Sequence, residues 1–377
     1  MTTACIIAAR RSAVAPRGGA LGAVEPWELG AATIRAALAD ADIDGHRIDL
    51  AVYGNALYAG GNPARLATLA AGLPERVAAL TIDSQCCAGM DAIALAAAQV
   101  EAGHAEIVLA GGLESYTRAP LRMRRATGDE TGPVPFDRPP FTPWPERDPD
   151  MLEAAANLAA ERKIDRRAQE DYAIASHART RAARSHLANE IVPVAGVHAD
   201  TFARRLDRRL CGRLPVVAGD PVHGLSAATV AVEADAAASV IVMSETLARQ
   251  QGLGRRALRV LATTSLGGDP AQPALVPIDA TRRLLAELKI RADDIAVAEV
   301  MEAFAVQAMA CIDGIGLDPA IVNPGGGALA RGHPIGASGA ILAVRLWQEM
   351  QTLPTGSLGI ATIAAAGGLG SALVLKR

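Results

Sequence analysis

Two stretches of this chain, Ala88–Val100 and Ile335–Trp347, read as helices that are apolar on nearly every side. A helix of that kind must be buried on every side, so each needs protein layers above and below it. The helices expected at 26–40 and 279–289 carry a charged face and belong outside. Short apolar strands are expected at Ile6–Ala9, Leu50–Tyr53, Ala79–Ile82 and Ile107–Ala110, and again from Val240–Met243 onward. Strands alternating with helices argue for a mainly parallel, covered sheet. The composition suits tight layers, because hydrophobic residues make up 50% of the chain and aromatic ones only 3%.

The pattern occurs twice. Leu38-Ala39, Ile43 and Ile48 recur as Leu285-Ala286, Ile290 and Ile295 at a constant spacing. Ala110-Gly111-Gly112-Leu113-Glu114-Ser115 recurs as Ala366-Gly367-Gly368-Leu369-Gly370-Ser371. Two similar halves, each with an inner apolar helix and an outer amphipathic one, predict two sheets enclosing a shared helix layer. Between the halves the chain changes character. Seven Pro fall between 133 and 149, with Phe136, Phe141 and Trp144 among them. That segment is too Pro-rich for helix or sheet and reads either as a surface loop with its own apolar cluster or as a cover over a substrate pocket. Residues 151–188 read as helical with a break at Lys163–Asp165, where Asp165 caps the second helix. Residues 190–225 are irregular and Arg-rich.

Thirty-seven basic against 40 acidic residues give a net charge of −3. No overall positive field exists to hold nucleic acid or an anionic membrane, and no apolar run reaches the roughly 18 residues of a membrane span. Cys5, Cys86, Cys87, Cys211 and Cys311 are odd in number and contain no CxxC pair, which fits neither a disulfide framework nor a zinc site. The N-terminus is apolar from Thr2 to Ala9 and then basic at Arg10 and Arg11, the reverse of a signal peptide. A reducing cytoplasm is the expected setting.

Two turns hold residues able to do chemistry. In Leu80–Met90 a strand ends, a tight turn follows and a buried helix begins. Cys86 or Cys87 then stands at a helix N-terminus, where free N–H groups and the helix dipole favour a thiolate nucleophile. Gly89 would leave room for a substrate at the first turn. In Asn323–Gly339, His333 stands in a Gly-rich strand-to-helix turn of the opposite half. If the two turns face each other, a thiol meets its general base.

These stretches resemble the thiolase family, nearly end to end. Gly326 to Ala340 is close to the family's GHP signature, Met301-Glu302-Ala303-Phe304-Ala305 to its NEAFA block, and Ile164 to His177 to a helix of its loop domain. The Cys turn resembles the N-x-x-C-x-S-G block, and Gly89 in register makes Cys86 the nucleophile. The resemblance implies a five-layer αβαβα fold of the α/β class. Residues 1–116 with 223–250 would form the first half, 251–377 the second, and 117–222 an inserted loop domain that binds and covers acyl-CoA. It also implies a homodimer or homotetramer, acyl-CoA as substrate, and no permanently bound cofactor or metal. Cys86 would carry the acyl group and His333 would be its base and part of one oxyanion site. Backbone N–H groups of Cys86 and Ala366 would form the other. Phe304 would line the pantetheine channel, with Met151 near the reacting carbon. Arg204, Arg205, Arg208, Arg209 and Arg213 could meet the CoA phosphates.

The departures carry as much information. The family's C-x-G-G-G block reads Ala364-Ala365-Ala366-Gly367-Gly368, so the second Cys, which handles the α-proton in Claisen chemistry, is Ala364. The Asn of NEAFA, which holds a water in the His-side oxyanion site, is Met301. The Asn three before the nucleophile is Asp83, and the Ser/Gly-rich CoA block is eroded to Ser226-Ala227-Ala228-Thr229-Val230-Ala231. A methyl cannot move a proton, and a thioether is a poor replacement for an amide. Cys87, Glu302 and His223 are the substitute bases to test. The expected function is an acyl-CoA-dependent acyltransferase with altered thiolysis or condensation. The alternatives are an acyl-CoA-binding subunit beside a partner protein, or an acyl-CoA hydrolase.

Overall fold

The computed structural model describes residues 2–58, 60–128, 131–136 and 138–377. The main strands are β1 (Ala4–Ser12), β2 (Leu50–Gly54), β3 (Ala78–Ile82), β4 (Ile107–Ser115), β5 (Ala234–Ser244), β6 (Leu258–Gly267), β7 (Ile295–Val300), β8 (Leu358–Ala365) and β9 (Leu369–Lys376). The main helices are α1 (Pro26–Ala41), α2 (Pro63–Ala70), α3 (Ala88–Glu101), α4 (Met151–Glu161), α5 (Arg166–Ala182), α6 (Val276–Leu288), α7 (Ala305–Ile315) and α8 (Ile335–Met350). Hydrogen bonding runs in the order β7-β8-β9-β6-β1-β5-β4-β2-β3. The two expected sheets are therefore joined, through only two residue pairs between β1 and β6, Cys5↔Arg259 and Ile6↔Leu258.

Alternation along the strands shows the layers. In β1, Ala4 and Ile6 face the central core while Cys5 and Ile7 face an outer one. In β9, Leu373 and Leu375 face the central core, and Ala372 and Val374 a second outer one. Successive side chains point to opposite faces of a strand, so both halves of the sheet are covered on both sides. α3 and α8 lie in the middle, with α8 touching β1, β4 and β5 of one half and β7 and β8 of the other. α1 and α6 cover the outer faces. This is the α/β five-layer arrangement that the resemblance implied, with the two apolar helices in its middle layer. The expected mainly parallel sheet is not found, since of the eight neighbouring pairs in this order five are antiparallel and three parallel.

Gly89 has a different task from the one its position suggests. A Cβ there would lie 2.7 Å from the Ala340 backbone nitrogen, and one on Gly339 would lie 2.5 Å from that of Met90. The glycine lets α3 and α8 cross at contact distance; it does not open space for a substrate.

The duplication extends to backbone detail. α1 ends at Asp42 and α6 at Lys289, each in the left-handed region, at φ 52° and φ 55°. Parallel β2–β4 pairing in the first half matches parallel β7–β8 pairing in the second. The edge strand β3 has its counterpart in a single parallel bridge, Ala298↔Val322. The Gly-Gly repeat is not part of this equivalence. Residues 110–115 lie inside β4, whereas 366–371 span a turn and the start of β9.

A buried ionic cluster ties the segment after α5 to the layers. Glu190 accepts from Arg11 at 2.6 Å and from Arg345 at 2.5 Å, all three fully buried. Burial opposes ionisation of Glu190, but Arg345 and Arg11 outweigh it and hold its carboxyl below the usual range. Replacing Glu190 with Ala removes the carboxylate that both guanidinium groups share, while Arg11 keeps Asp200 at 2.7 and 2.9 Å and Arg345 keeps Glu349. The expected cost is about 1.5–3 kcal/mol, read as a lowered urea midpoint. Because the folded pKa is depressed, wild type should lose this contribution only as pH falls through and below the ordinary carboxylate range.

Candidate active site

Cys86 sits where β3 turns into α3. Gln85, just before it, adopts φ 57°, a left-handed conformation uncommon for a non-glycine residue. The Asp83 carboxylate stabilises that turn by accepting from the Gln85 backbone N–H at 2.8 Å and its side-chain amide at 3.2 Å. Asp83 thus supplies an acceptor to the turn, at the cost of a negative charge near the thiol.

His333 occupies the matching place in the second half. Cys86 and His333 are 247 residues apart, and His333 Nε2 lies 3.2 Å from Cys86 Sγ. Each stands two residues before its buried helix, α3 or α8. His333 is fixed from both sides. Its backbone N–H donates to Val232 at 2.8 Å, and its Nδ1 lies 2.7 Å from Ser338 Oγ. Ser338 donates its own hydrogen to the Pro334 carbonyl at 3.0 Å. The Ser338 oxygen therefore accepts from Nδ1–H, which leaves Nε2 as a free acceptor aimed at the thiol.

Burial sets the charge state. It pushes the Cys86 thiol up to about 12, against the opposing pull of the Cys86 and Ala366 backbone N–H groups and with Asp83 and Glu114 adding to the rise. Burial alone pushes His333 down to about 4. The resting pair is a neutral thiol beside a neutral imidazole. A thiolate favoured by the helix N-terminus is not the resting state, because desolvation by the second half outweighs the dipole. The two backbone N–H groups directed at Sγ belong to Cys86 and Ala366, the pair expected for an oxyanion site. The turn at Gly367 and Gly368, with φ 79° and 77°, brings Ala366 to that position.

Cys86 and His333 open into a cavity of about 420 Å³. Met151 and neighbours on α4 form one wall, Phe304 and Gln307 another, and Ala364, Ala365 and Ala366 a third. Phe141 and Arg138 of the Pro-rich segment also line it, while Phe136 and Trp144 point outward; Asp137 lies outside the described residues. The eroded block at 226–231 still contributes through its backbone. Ala231 N–H donates to Ala303 and the Thr229 carbonyl accepts from Ala305, both at 2.9 Å, which places Phe304.

Other expected residues lie elsewhere. Met301 is 2% exposed in the central core and does not line the cavity. Cys87 is buried with its thiol toward the Ile363 carbonyl, at 3.6 Å. The Glu302 carboxylate is spent on Tyr172, Ser176, Asn323 and the Leu329 N–H. It clamps α5 to the turn that leads into His333. His223 pairs with Asp220 at 3.2 Å outside the lining. Arg204, Arg205, Arg208 and Arg209 are surface residues outside the lining. Arg208 is paired with Asp171 at 2.7 and 2.8 Å, and Arg204 stacks on Phe202 at 4.2 Å. Among the described residues no group of three or more His, Cys, Asp or Glu could hold a metal ion, and no helix is long and apolar enough to cross a membrane.

Comparison with known proteins matches residues 4–246 to the thiolase N-terminal domain and 255–377 to the thiolase C-terminal domain. The chain belongs to the thiolase family. It is 36% identical to an acetyl-CoA acetyltransferase of Cupriavidus necator, covering 100% of both chains. It is 33% identical to a steroid 3-ketoacyl-CoA thiolase of Mycobacterium tuberculosis, over 100% of this chain and 95% of the relative. A 3-oxoadipyl-CoA/3-oxo-5,6-dehydrosuberyl-CoA thiolase of Escherichia coli is 36% identical over 97% of each. As a thiolase this chain is an acyltransferase, with CoA thioesters as its substrates.

One residue that the sequence reading passed over lines the thiolase cavity. Tyr116 follows directly on the C-terminal end of β4. In α/β sheets ligands gather at the carboxyl ends of strands, and tyrosines are scarce here, with only 4 in the chain. Those two signals together would have singled it out.

Proposed function

We propose that this thiolase carries an acyl group as a thioester on Cys86 and that His333 moves the proton. The observation that carries this reading is the 3.2 Å contact of Cys86 Sγ with His333 Nε2 at the head of the cavity. As Sγ attacks the acyl-CoA carbonyl, the thiol proton passes to Nε2. The carbonyl oxygen becomes an oxyanion held by the N–H groups of Cys86 and Ala366, each such donor contributing about 10²–10³-fold. The imidazolium then protonates the departing CoA sulfur. Met151 and Phe304 border the acyl and pantetheine path. The C–C step is altered from the family pattern, since Ala364 has no proton to move and the Met301 thioether offers no amide to a water. The test is intact mass spectrometry after incubation with acyl-CoAs of several chain lengths. An adduct that maps to Cys86 is expected; its absence with every acyl-CoA would sink the reading.

We further propose a homodimer in the cytoplasm. β3 is the last strand in the sheet order and has no neighbour on its outer side among the described residues. Leu80 on that strand is 48% exposed and Leu69 on the adjacent α2 is 41% exposed. An open apolar edge invites pairing with a second copy. Leu80→Lys should shift the protein toward monomer in light scattering. An unchanged mass would reject this edge as the interface.

A further inference from the structure

Ala364 leaves Cys86 as the sole thiol of the cavity lining. Besides Cys86 and His333, four ionisable side chains among the described residues line it: Tyr116, Arg138, Asp150 and Glu233. Three are already committed. Arg138 is held by Asp148 and by the Pro149 carbonyl at 2.8 Å. Asp150 caps α4 by accepting from Leu152 N–H at 2.8 Å. Glu233 pairs with Arg17 at 2.8 Å. The Tyr116 hydroxyl has no hydrogen-bond partner among the described residues.

Tyr116 is also firmly placed. The residues on either side of it are tied to one fully buried carboxylate. Asp235 accepts from Ser115 Oγ at 2.9 Å and from the Thr117 backbone N–H at 3.0 Å. The ring therefore stands on a fixed piece of backbone. Burial holds the phenol above its ordinary pKa, the nearby acidic groups of Cys86, Glu233 and Glu114 add to the rise, and Arg122 alone opposes it. The hydroxyl keeps its proton and acts as a donor.

We propose that the Tyr116 hydroxyl is the acid that protonates the carbon leaving group when this site cleaves a 3-ketoacyl-CoA, in place of the missing thiol at Ala364. The proposal rests on the acyl-Cys86 reading above. Cys86 Sγ bonds to the 3-keto carbon as its proton passes to His333. The oxyanion collapses, the C2–C3 bond breaks, and its electron pair goes to C2 of the departing CoA thioester. That carbon takes the phenolic proton. Free CoA then enters, its thiol reprotonates the phenolate, and the CoA thiolate attacks the acyl-Cys86 carbonyl. Cys86 leaves as thiolate and takes back its proton from His333. Every proton is accounted for with CoA as the one co-reactant.

Two rates separate this role from a structural one. Cleavage of a 3-ketoacyl-CoA by CoA needs a proton on carbon. Exchange of a saturated acyl group between acyl-CoA and isotopically labelled CoA uses Cys86 and His333 but forms no carbanion. In Tyr116→Phe the ratio of cleavage to exchange should fall by about 10²–10⁴-fold, the usual worth of a general acid. Adding Ala364→Cys to Tyr116→Phe should restore much of the cleavage. An unchanged ratio in Tyr116→Phe overturns the proposal, as does a wild type that exchanges acyl groups but never cleaves 3-ketoacyl-CoA. A wild type that forms no acyl-Cys86 overturns the parent reading, and this one with it.

Discussion

Replacing Cys86 with Ala is expected to abolish both the acyl adduct and acyl transfer. The loss should be on the order of 10⁴- to 10⁶-fold, as when the nucleophile of a coupled catalytic unit is removed. Cys87 cannot take over. It is fully buried, burial holds its thiol well above the ordinary value, and it does not line the cavity. Cys87→Ala should therefore still give the adduct. The fold should survive Cys86→Ala, since α3 begins at Ala88 and the crossing of α3 with α8 depends on Gly89 and Gly339 instead. Circular dichroism and the urea midpoint should match wild type while intact mass shows no acyl shift. An adduct that persists in Cys86→Ala would move the nucleophile elsewhere and undo the catalytic scheme.

The parts of the molecule legible in the sequence are those that depend on local pattern. An all-apolar helix predicts its own burial whatever packs on it, and α3 and α8 lie where that pattern required. Asp165 caps α5 by accepting from Ala168 N–H at 2.7 Å, a contact spanning three residues. The Cys86–His333 pair was legible because duplication gives the two turns equivalent places. What pattern could not report is the effect of one half on the other. The helix dipole at Cys86 is local, but the desolvation that overrides it comes from packing across 247 residues of chain. Gly89 illustrates the same gap, since its neighbour is Ala340. The repeated Gly-Gly hexapeptide is the reverse case, a local likeness whose two copies fold as strand and turn. Glu302 drew interest as a charged residue near the site, yet its oxygens are consumed by four donors that only the tertiary fold assembles. Tyr116 is the opposite: an ordinary residue in sequence whose hydroxyl has no partner among the described residues and lines the cavity.

His333→Asn should slow acylation of Cys86 by about 10²–10⁴-fold, the contribution of a positioned general base, with acyl-CoA binding largely retained. The pH dependence follows from the two resting states. His333 is held down to about 4, so at neutral pH nearly all of it is the free base that the thiol needs. The acylation rate should stay level through neutral pH and fall as acid approaches about 4 and protonates Nε2. With Cys86 pushed up to about 12, its alkylation by iodoacetamide should be slow at neutral pH and accelerate steadily with alkali. A preformed thiolate–imidazolium pair would behave otherwise, with fast alkylation that changes little between acid and neutral pH. Such a result would mean that the ion pair survives burial here. Ser338→Ala adds a third arm. Without the Ser338 oxygen at 2.7 Å, Nδ1 loses the acceptor that fixes the tautomer, and part of the imidazole turns an N–H toward the thiol. Acylation should drop in proportion to that fraction while the fall near pH 4 stays in place, because burial of the ring, which sets it, is unchanged.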